Sequence, residues 1–171
     1  METLRNLGLA RHRLAKTIAW SKANRVGKNG IINMIQPDTI RKISVLQDYL
    51  NDLLPYVALP TEELLKNNEK RAAMERYFLL MVDEAFDINS ALAYQLGNKI
   101  PESNKSTFYE LVGLKIIDYN FADKISSSAK TRNQLVHDYE KVQKRALVEE
   151  MKKYAELYKE YSKILIEKFV V

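Results

Sequence analysis

The sequence predicts an all-α fold, an antiparallel bundle of helices. Apolar residues recur at intervals of three and four in three long segments, a spacing that places them on one face of a helix. Glycine and proline together number nine in a chain of 171 residues, and most of them lie between those segments. Apolar residues make up 46% and charged residues 29% of the chain, which suits one domain with a buried core.

Two long helices are predicted in the first part of the chain. The first spans 38–54, because Pro37 is favoured at the start of a helix and Pro55 cannot donate a backbone hydrogen bond. The second spans 69–96 and is expected to be capped by Asn68. The apolar faces consist of Ile43, Leu46, Leu50 and Leu53 in the first helix and of Met74, Phe78, Met81, Ala85, Ile88 and Leu92 in the second.

Three further helices are predicted in the second part. One is a short helix in "TFYELVGLKII", and the next is capped by Asp118 and carries "ADKISSSAKTRNQLVHDY". The last spans 144–168 and has an apolar seam that steps by four and three, as in packed helices of a bundle. We interpret the tyrosines of this seam as core packing and not as a platform for stacking bases. The seam consists of Leu147, Met151, Tyr154, Tyr158, Tyr161 and Leu165.

The positive charge of the chain is concentrated at its start. The whole chain has a formal net charge of +5, whereas residues 1–33 hold seven Lys or Arg and one Glu, a net charge of +6. We therefore divide the chain into a basic N-terminal leader, 1–33, and a helical-bundle domain, 34–171, that is close to neutral. Three alternatives stay open for the leader: a disordered tail, a weak helix, or a non-native extension from a start codon assigned ahead of Met34.

Composition excludes several classes of site. Cysteine is absent, which excludes disulfides, thiolate nucleophiles and cysteine-ligated zinc. Two histidines and no Gly-rich phosphate loop lead us to predict no metal and no cofactor. No apolar run approaches the roughly 18 residues of a membrane-spanning helix. No signal-peptide pattern opens the chain, so we expect a cytoplasmic protein that does not contact membranes.

The segment "TRNQLVHDYEK", 131–141, gathers residue types suited to RNA cleavage. The imidazole of His137 can take or give a proton near neutral pH, and the guanidinium of Arg132 can bind phosphate oxygens. On a helix Asn133 shares a face with His137, whereas Arg132 and His137 point about 140° apart. Either the long Arg132 side chain reaches round, or a second copy in a two-fold dimer completes the site. The alternative interpretation is a helical histidine that is hydrogen-bonded to a neighbour.

Asp83, Glu84 and Asp87 form an acidic cluster on the second long helix. Asp83 and Asp87 are four residues apart and share a helix face. One interpretation is a solvated face or a contact with a partner protein. The other is that the cluster orients Arg132 or His137, and for that role we select Asp87 as a supporting residue.

The arrangement of Arg132, Asn133, His137 and Tyr139 resembles the R-x-x-x-x-H-x-Y motif of the HepT-like toxins, a branch of the HEPN superfamily. The segments "IRKISVLQDYLNDL", "MERYFLLMVDEAFDINSALA" and "IPESNKSTFYELVGLKII" are similar to the successive helices of that family, in the same order. The resemblance covers roughly 37 to 165, nearly all of the chain except the leader.

This resemblance implies a HEPN-type bundle that forms a homodimer, with the motifs meeting at the dimer cleft as a metal-independent endoribonuclease site. It implies that Arg132 and His137 are catalytic, that Asn133 supports them and that RNA is the substrate. It also implies a cognate nucleotidyltransferase antitoxin, MntA, which neutralises the toxin by transferring AMP to Tyr139. A bulky anion two residues from His137 would block the cleft and repel RNA phosphate.

Two competing hypotheses belong to other functional classes. One is a non-catalytic HEPN partner of a nucleotidyltransferase, and the other is a plain helical interaction module. RNA cleavage that is lost on changing His137 distinguishes the toxin from the non-catalytic partner. Free replacement of His137 and Tyr139 would indicate the interaction module.

Overall fold

The computed structural model describes residues 35–137 and 143–170. These two ranges form seven α-helices, and no β-strand occurs within them. In chain order the helices are α1 (Pro37–Val57), α2 (Thr61–Lys66), α3 (Asn68–Gly97), α4 (Ser106–Gly113), α5 (Tyr119–Ser126), α6 (Ser128–His137) and α7 (Lys144–Phe169). The predicted all-α fold class is confirmed.

Helix α3 is the centre of the bundle, with α1 and α7 beside it. The backbone N–H of Gln36, just before α1, donates to Gln95 near the end of α3 at 3.0 Å, so α1 and α3 run antiparallel. The ammonium of Lys152, early in α7, donates to the carbonyl of Leu59 after the end of α1, so α1 and α7 are antiparallel as well. Helices α4 and α6 also pack against α3, whereas α5 packs against α4 and α7.

The core is built from the predicted apolar faces. Every residue of the predicted apolar faces of α1 and α3 and of the apolar seam of α7 is buried. The seam tyrosines Tyr158 and Tyr161 are fully buried, and their rings meet edge to face with centroids 5.9 Å apart. The interpretation of these tyrosines as core packing is therefore confirmed.

Two predicted helix boundaries are wrong in detail. Pro55 does not end α1, which continues to Val57. Because Pro55 lies in the last turn, its missing N–H removes only one helical hydrogen bond, and the chain tolerates it there. The cap of α3 is Asn67 instead of Asn68: the side chain of Asn67 accepts from the backbone N–H of Lys70 at 3.0 Å.

The helix predicted to follow Asp118 is divided into α5 and α6. Asp118 caps α5 as expected, since its carboxylate accepts from the backbone N–H of Phe121 at 2.9 Å. The division falls in a run of three serines whose hydroxyls donate to carbonyls of the preceding turn. Such bonds compete with the backbone hydrogen bonds of a helix, which accounts for the interruption at Ser127.

The predicted leader, 1–33, lies outside the described residues, so the boundary between it and the domain 34–171 stays a prediction. In the part of the chain that the structure describes, none of the helices has the length and apolar character needed to cross a membrane.

A buried polar group joins three helices. The amide of Asn89 in α3 donates to the hydroxyl of Thr107 in α4 at 3.2 Å, and its carbonyl oxygen accepts from the hydroxyl of Tyr161 in α7. All three residues are buried. Removing Asn89 would therefore leave a buried tyrosine hydroxyl without this acceptor.

We expect Asn89→Ala to lower the free energy of unfolding by about 1–3 kcal/mol, because a buried hydroxyl loses its partner. Urea denaturation followed by circular dichroism measures this change. The control is Asn51→Ala on the exposed side of α1, for which we expect a change within about 0.5 kcal/mol. Equal stability of the two variants would contradict the structural role of Asn89.

Candidate functional site

The motif helix α6 is fixed to α7 by two hydrogen bonds from its buried side. The hydroxyls of Ser128 and Tyr158 lie 3.0 Å apart, and the hydroxyl of Thr131 donates to the carboxylate of Glu150 at 2.6 Å. Burial raises the pKa of Tyr158 above its ordinary range, so this hydroxyl keeps its proton. Because Ser128 donates to the carbonyl of Ile125, Tyr158 donates to Ser128. These contacts set the orientation of α6 around its own axis.

That orientation turns Arg132 towards α3, where it meets Asp83. The guanidinium Nε lies 2.8 Å from Oδ1 of Asp83, and Nη2 lies 3.2 Å from Oδ2. This is the parallel, two-point geometry of an Arg–carboxylate pair. The side chain of Arg132 is 23% exposed and that of Asp83 is 47% exposed, so the pair is open to solvent on one side. The hydrogen bond to Asp83 raises the pKa of Arg132, although partial burial lowers it.

The pair fixes the plane of the guanidinium while leaving part of it uncommitted to Asp83. Only Nε and Nη2 of Arg132 bond to Asp83. The Nη1 group takes no part in this pair and can donate to a phosphate oxygen at the same time. Arg132 is thus a charged, oriented donor at the surface of the bundle.

Asn133 and His137 are both exposed on α6, and His137 is its last residue. Val136 beside it is an exposed apolar residue, at 47%. Helical geometry separates Arg132 from His137 by about 140° around the axis, and Arg132 is committed to the side that faces α3. Tyr139 lies outside the described residues, so its predicted role as AMP acceptor stays a prediction.

The three acidic residues of the cluster lie on α3 and contact basic residues of two different helices. Asp83 contacts Arg132 of α6, whereas Asp87 contacts Lys42 of α1, with 2.9 Å between Nζ and Oδ2. Glu84 lies 3.9 Å from the same lysine, and partial burial raises its pKa. The carboxylate at Arg132 is therefore Asp83, and Asp87, selected as the supporting residue, faces Lys42 instead. Any part that Asp87 plays in catalysis stays a prediction.

Across residues 35–137 and 143–170, no group of three or more acidic or histidine side chains is placed to hold a metal ion.

Comparison with known proteins gives three findings. A family model described as "Ribonuclease HepT-like" matches residues 46–164, a range that includes the whole motif. The chain is also similar to a tRNA nuclease HepT from Aphanizomenon flos-aquae, with 28% identity over 109 residues, covering 63% of this chain and 74% of that protein.

Two solved structures share the fold. One is a tri-AMPylated Shewanella oneidensis HEPN toxin in complex with MNT antitoxin, with a TM-score of 0.68, 16% identity and coverage of 78% of this chain and 99% of that one. The other is a toxin–antitoxin with AMP-PNP, with a TM-score of 0.67, 16% identity and coverage of 77% and 99%. At this identity the matches establish the HEPN bundle. The family model extends over more than half of the sequence, and the chain therefore belongs to the HepT-like ribonuclease family.

Proposed function

We propose that this protein is the toxin of a type II toxin–antitoxin system and acts as a metal-independent endoribonuclease. The observation that carries the proposal is the two-point pair of Arg132 with Asp83 on a helix that ends at the exposed His137. Membership of the HepT-like ribonuclease family supports it, as does the similarity to a tRNA nuclease. Transfer RNA is therefore the first substrate class to test.

The proposed reaction is an internal phosphoryl transfer. The 2′-hydroxyl of the RNA loses its proton and attacks the adjacent phosphorus, and the bond from phosphorus to the 5′-oxygen breaks as that oxygen gains a proton. The products carry a 2′,3′-cyclic phosphate and a 5′-hydroxyl. His137 transfers protons, and Arg132 stabilises the charge that develops on the phosphate oxygens. Asn133, exposed on the same helix, supports Arg132 and His137 in these roles.

The reaction needs one group that accepts the proton of the 2′-hydroxyl and one that donates a proton to the 5′-oxygen. The motif of one chain supplies a single histidine for these two roles. A two-fold homodimer would bring two copies of His137 to one cleft and provide both. The exposure of Val136 next to His137 supports this arrangement, because an apolar side chain at that place gains by burial against a second chain.

The proposed control is AMP transfer to Tyr139 by a nucleotidyltransferase antitoxin. Both solved structures above are toxin–antitoxin assemblies, and the toxin of one is AMPylated. Tyr139 is two residues from His137 in sequence, so an AMP group there would place negative charge next to the proposed cleavage point.

We expect His137→Ala and Arg132→Ala each to reduce RNA cleavage by about 100- to 10,000-fold, the range for loss of a group that acts in the transition state. Cleavage should continue in chelator, because the proposed steps use side chains of the chain itself. Gel analysis of RNA incubated with the purified proteins measures the rate, and mass spectrometry identifies the cyclic phosphate.

Arg76→Ala, an exposed arginine on α3, is the matched control and should leave cleavage unchanged. If the purified protein binds a nucleotidyltransferase but neither it nor any variant cleaves RNA, the non-catalytic partner hypothesis replaces the nuclease.

We expect Asp83→Asn to lower kcat by about tenfold or more while Asp87→Asn has a smaller effect, because Asp83 holds the Arg132 guanidinium whereas Asp87 contacts Lys42. Steady-state cleavage of a labelled RNA measures both variants, and thermal melting provides the control for folding. A larger loss in Asp87→Asn than in Asp83→Asn would show that the Lys42 side of the cluster is the one that matters.

We expect Tyr139→Phe to cleave RNA at a rate close to that of the parent and to resist inhibition by the nucleotidyltransferase with ATP, because only the acceptor hydroxyl is lost. Incorporation of labelled AMP and residual cleavage are measured in the same reaction. A Tyr139→Phe protein that is still fully inhibited would place the modification on another residue and leave the nuclease proposal standing.

A further inference from the structure

Thr131, which directly precedes Arg132 in α6, is a buried polar residue bonded to α7. The residue is 1% exposed, and its hydroxyl donates to the carboxylate of Glu150 at 2.6 Å. A hydrogen bond from a hydroxyl to an ionised carboxylate is shorter and stronger than one between neutral groups. This contact therefore ties the motif helix to α7 at the position next to the candidate phosphate-binding arginine.

The direction of Arg132 depends on that of Thr131, because successive residues of a helix point about 100° apart. Thr131 is held on the side of α6 that faces α7, and Arg132 then lies on the side that faces α3, where it meets Asp83 at two points. The hydroxyls of Ser128 and Tyr158 meet one turn earlier in α6 and add a second link to α7. A rotation of α6 that moved Arg132 away from Asp83 would therefore also pull Thr131 away from its acceptor.

We propose that Thr131 and Glu150 are positioning residues of the proposed ribonuclease. Their hydrogen bond sets the rotation of α6 at which the guanidinium of Arg132 meets Asp83 and can bind the scissile phosphate. Neither side chain is proposed to touch the RNA, because Thr131 is buried and the negative charge of Glu150 repels phosphate. The inference rests on the proposed ribonuclease function and adds to it the contact that orients the motif helix.

A second threonine–glutamate contact allows positioning to be distinguished from a general effect on stability. The hydroxyl of Thr61, at the start of α2, donates to the carboxylate of Glu149, the neighbour of Glu150 in α7. Both glutamates are exposed, and each accepts from a threonine of another helix. Only the contact of Glu150 leads to the motif helix. Loss of either contact can weaken the bundle, whereas loss of the Glu150 contact alone should disturb Arg132.

The first test is steady-state cleavage of a labelled RNA by the full chain, with thermal melting to confirm folding. We expect Glu150→Ala to lower kcat by about 3- to 100-fold with little change in KM, the upper value being the cost of a displacement of about 1 Å at a reacting group. Glu149→Ala, the matched control, should leave kcat unchanged. Glu150→Gln keeps an oxygen that can accept from Thr131 and should recover most of the lost rate.

Substitutions of Thr131 test the same bond from its other end. Thr131→Val keeps the shape of the side chain and removes the hydroxyl, so we expect it to lower kcat as Glu150→Ala does. Thr131→Ser keeps the hydroxyl and should cleave at a rate close to that of the parent.

A second measurement does not require cleavage. The Nε–H of Arg132 donates to Asp83, and its exchange with solvent can be followed by ¹H–¹⁵N NMR, with Arg132→Lys used to identify the signal. We expect exchange to be about threefold faster or more in Glu150→Ala and Thr131→Val, because a net hydrogen bond that favours the paired position is lost. The parent and Glu149→Ala should exchange at the same slower rate.

The two measurements separate this inference from the proposed function. If the parent cleaves RNA and kcat is unchanged in Glu150→Ala and Thr131→Val, the positioning role is overturned and the nuclease stands. If Glu149→Ala and Glu150→Ala lower kcat equally, the contact serves stability alone and the inference is overturned as well. If the parent does not cleave RNA, the proposed function fails, and the exchange of the Arg132 Nε–H still decides whether Thr131 and Glu150 hold that side chain against Asp83.

Discussion

The structure depends on the burial of one long helix. Helix α3 spans 30 residues, about 45 Å, and its apolar face is covered along its length by α1, α4, α6 and α7. A helix of that length gains most of its stability from such packing and not from intrinsic propensity. The same helix presents Asp83 at its surface to the motif helix, so the packing that forms the core also positions the candidate site.

Periodicity predicted the long helices because it reports which residues face a common core. The apolar faces of α1 and α3 and the apolar seam of α7 are all buried as expected. The break at Ser127 could have been inferred from its serines, whose side chains compete for backbone carbonyls, but periodicity alone does not reveal it. The cap at Asn67 was missed because two adjacent asparagines have the same propensity, and only the path of the chain before the helix distinguishes them.

The candidate site shows where reasoning from one helix fails. Asp83 and Asp87 share a face of α3 and look equivalent in sequence, yet Asp83 pairs with an arginine of α6 and Asp87 with a lysine of α1. Which helix lies beside which turn is a tertiary property that spacing within α3 cannot report. The chemistry of the motif, by contrast, could be predicted from the sequence. Arg132 and His137 suit phosphate binding and proton transfer whatever the position of the helix that carries them.

Fixing Arg132 against Asp83 has a consequence for the proposed mechanism. An arginine held at two points loses little further side-chain freedom when it binds a phosphate, so it contributes more per hydrogen bond than a free one. The same commitment turns it away from the direction of His137 on its own helix, and a second chain is then the simplest source of a complementary histidine. The proposed AMP acceptor, Tyr139, follows His137 by two residues. Modification would thus place negative charge at the proposed cleavage point, where it opposes the reacting phosphate.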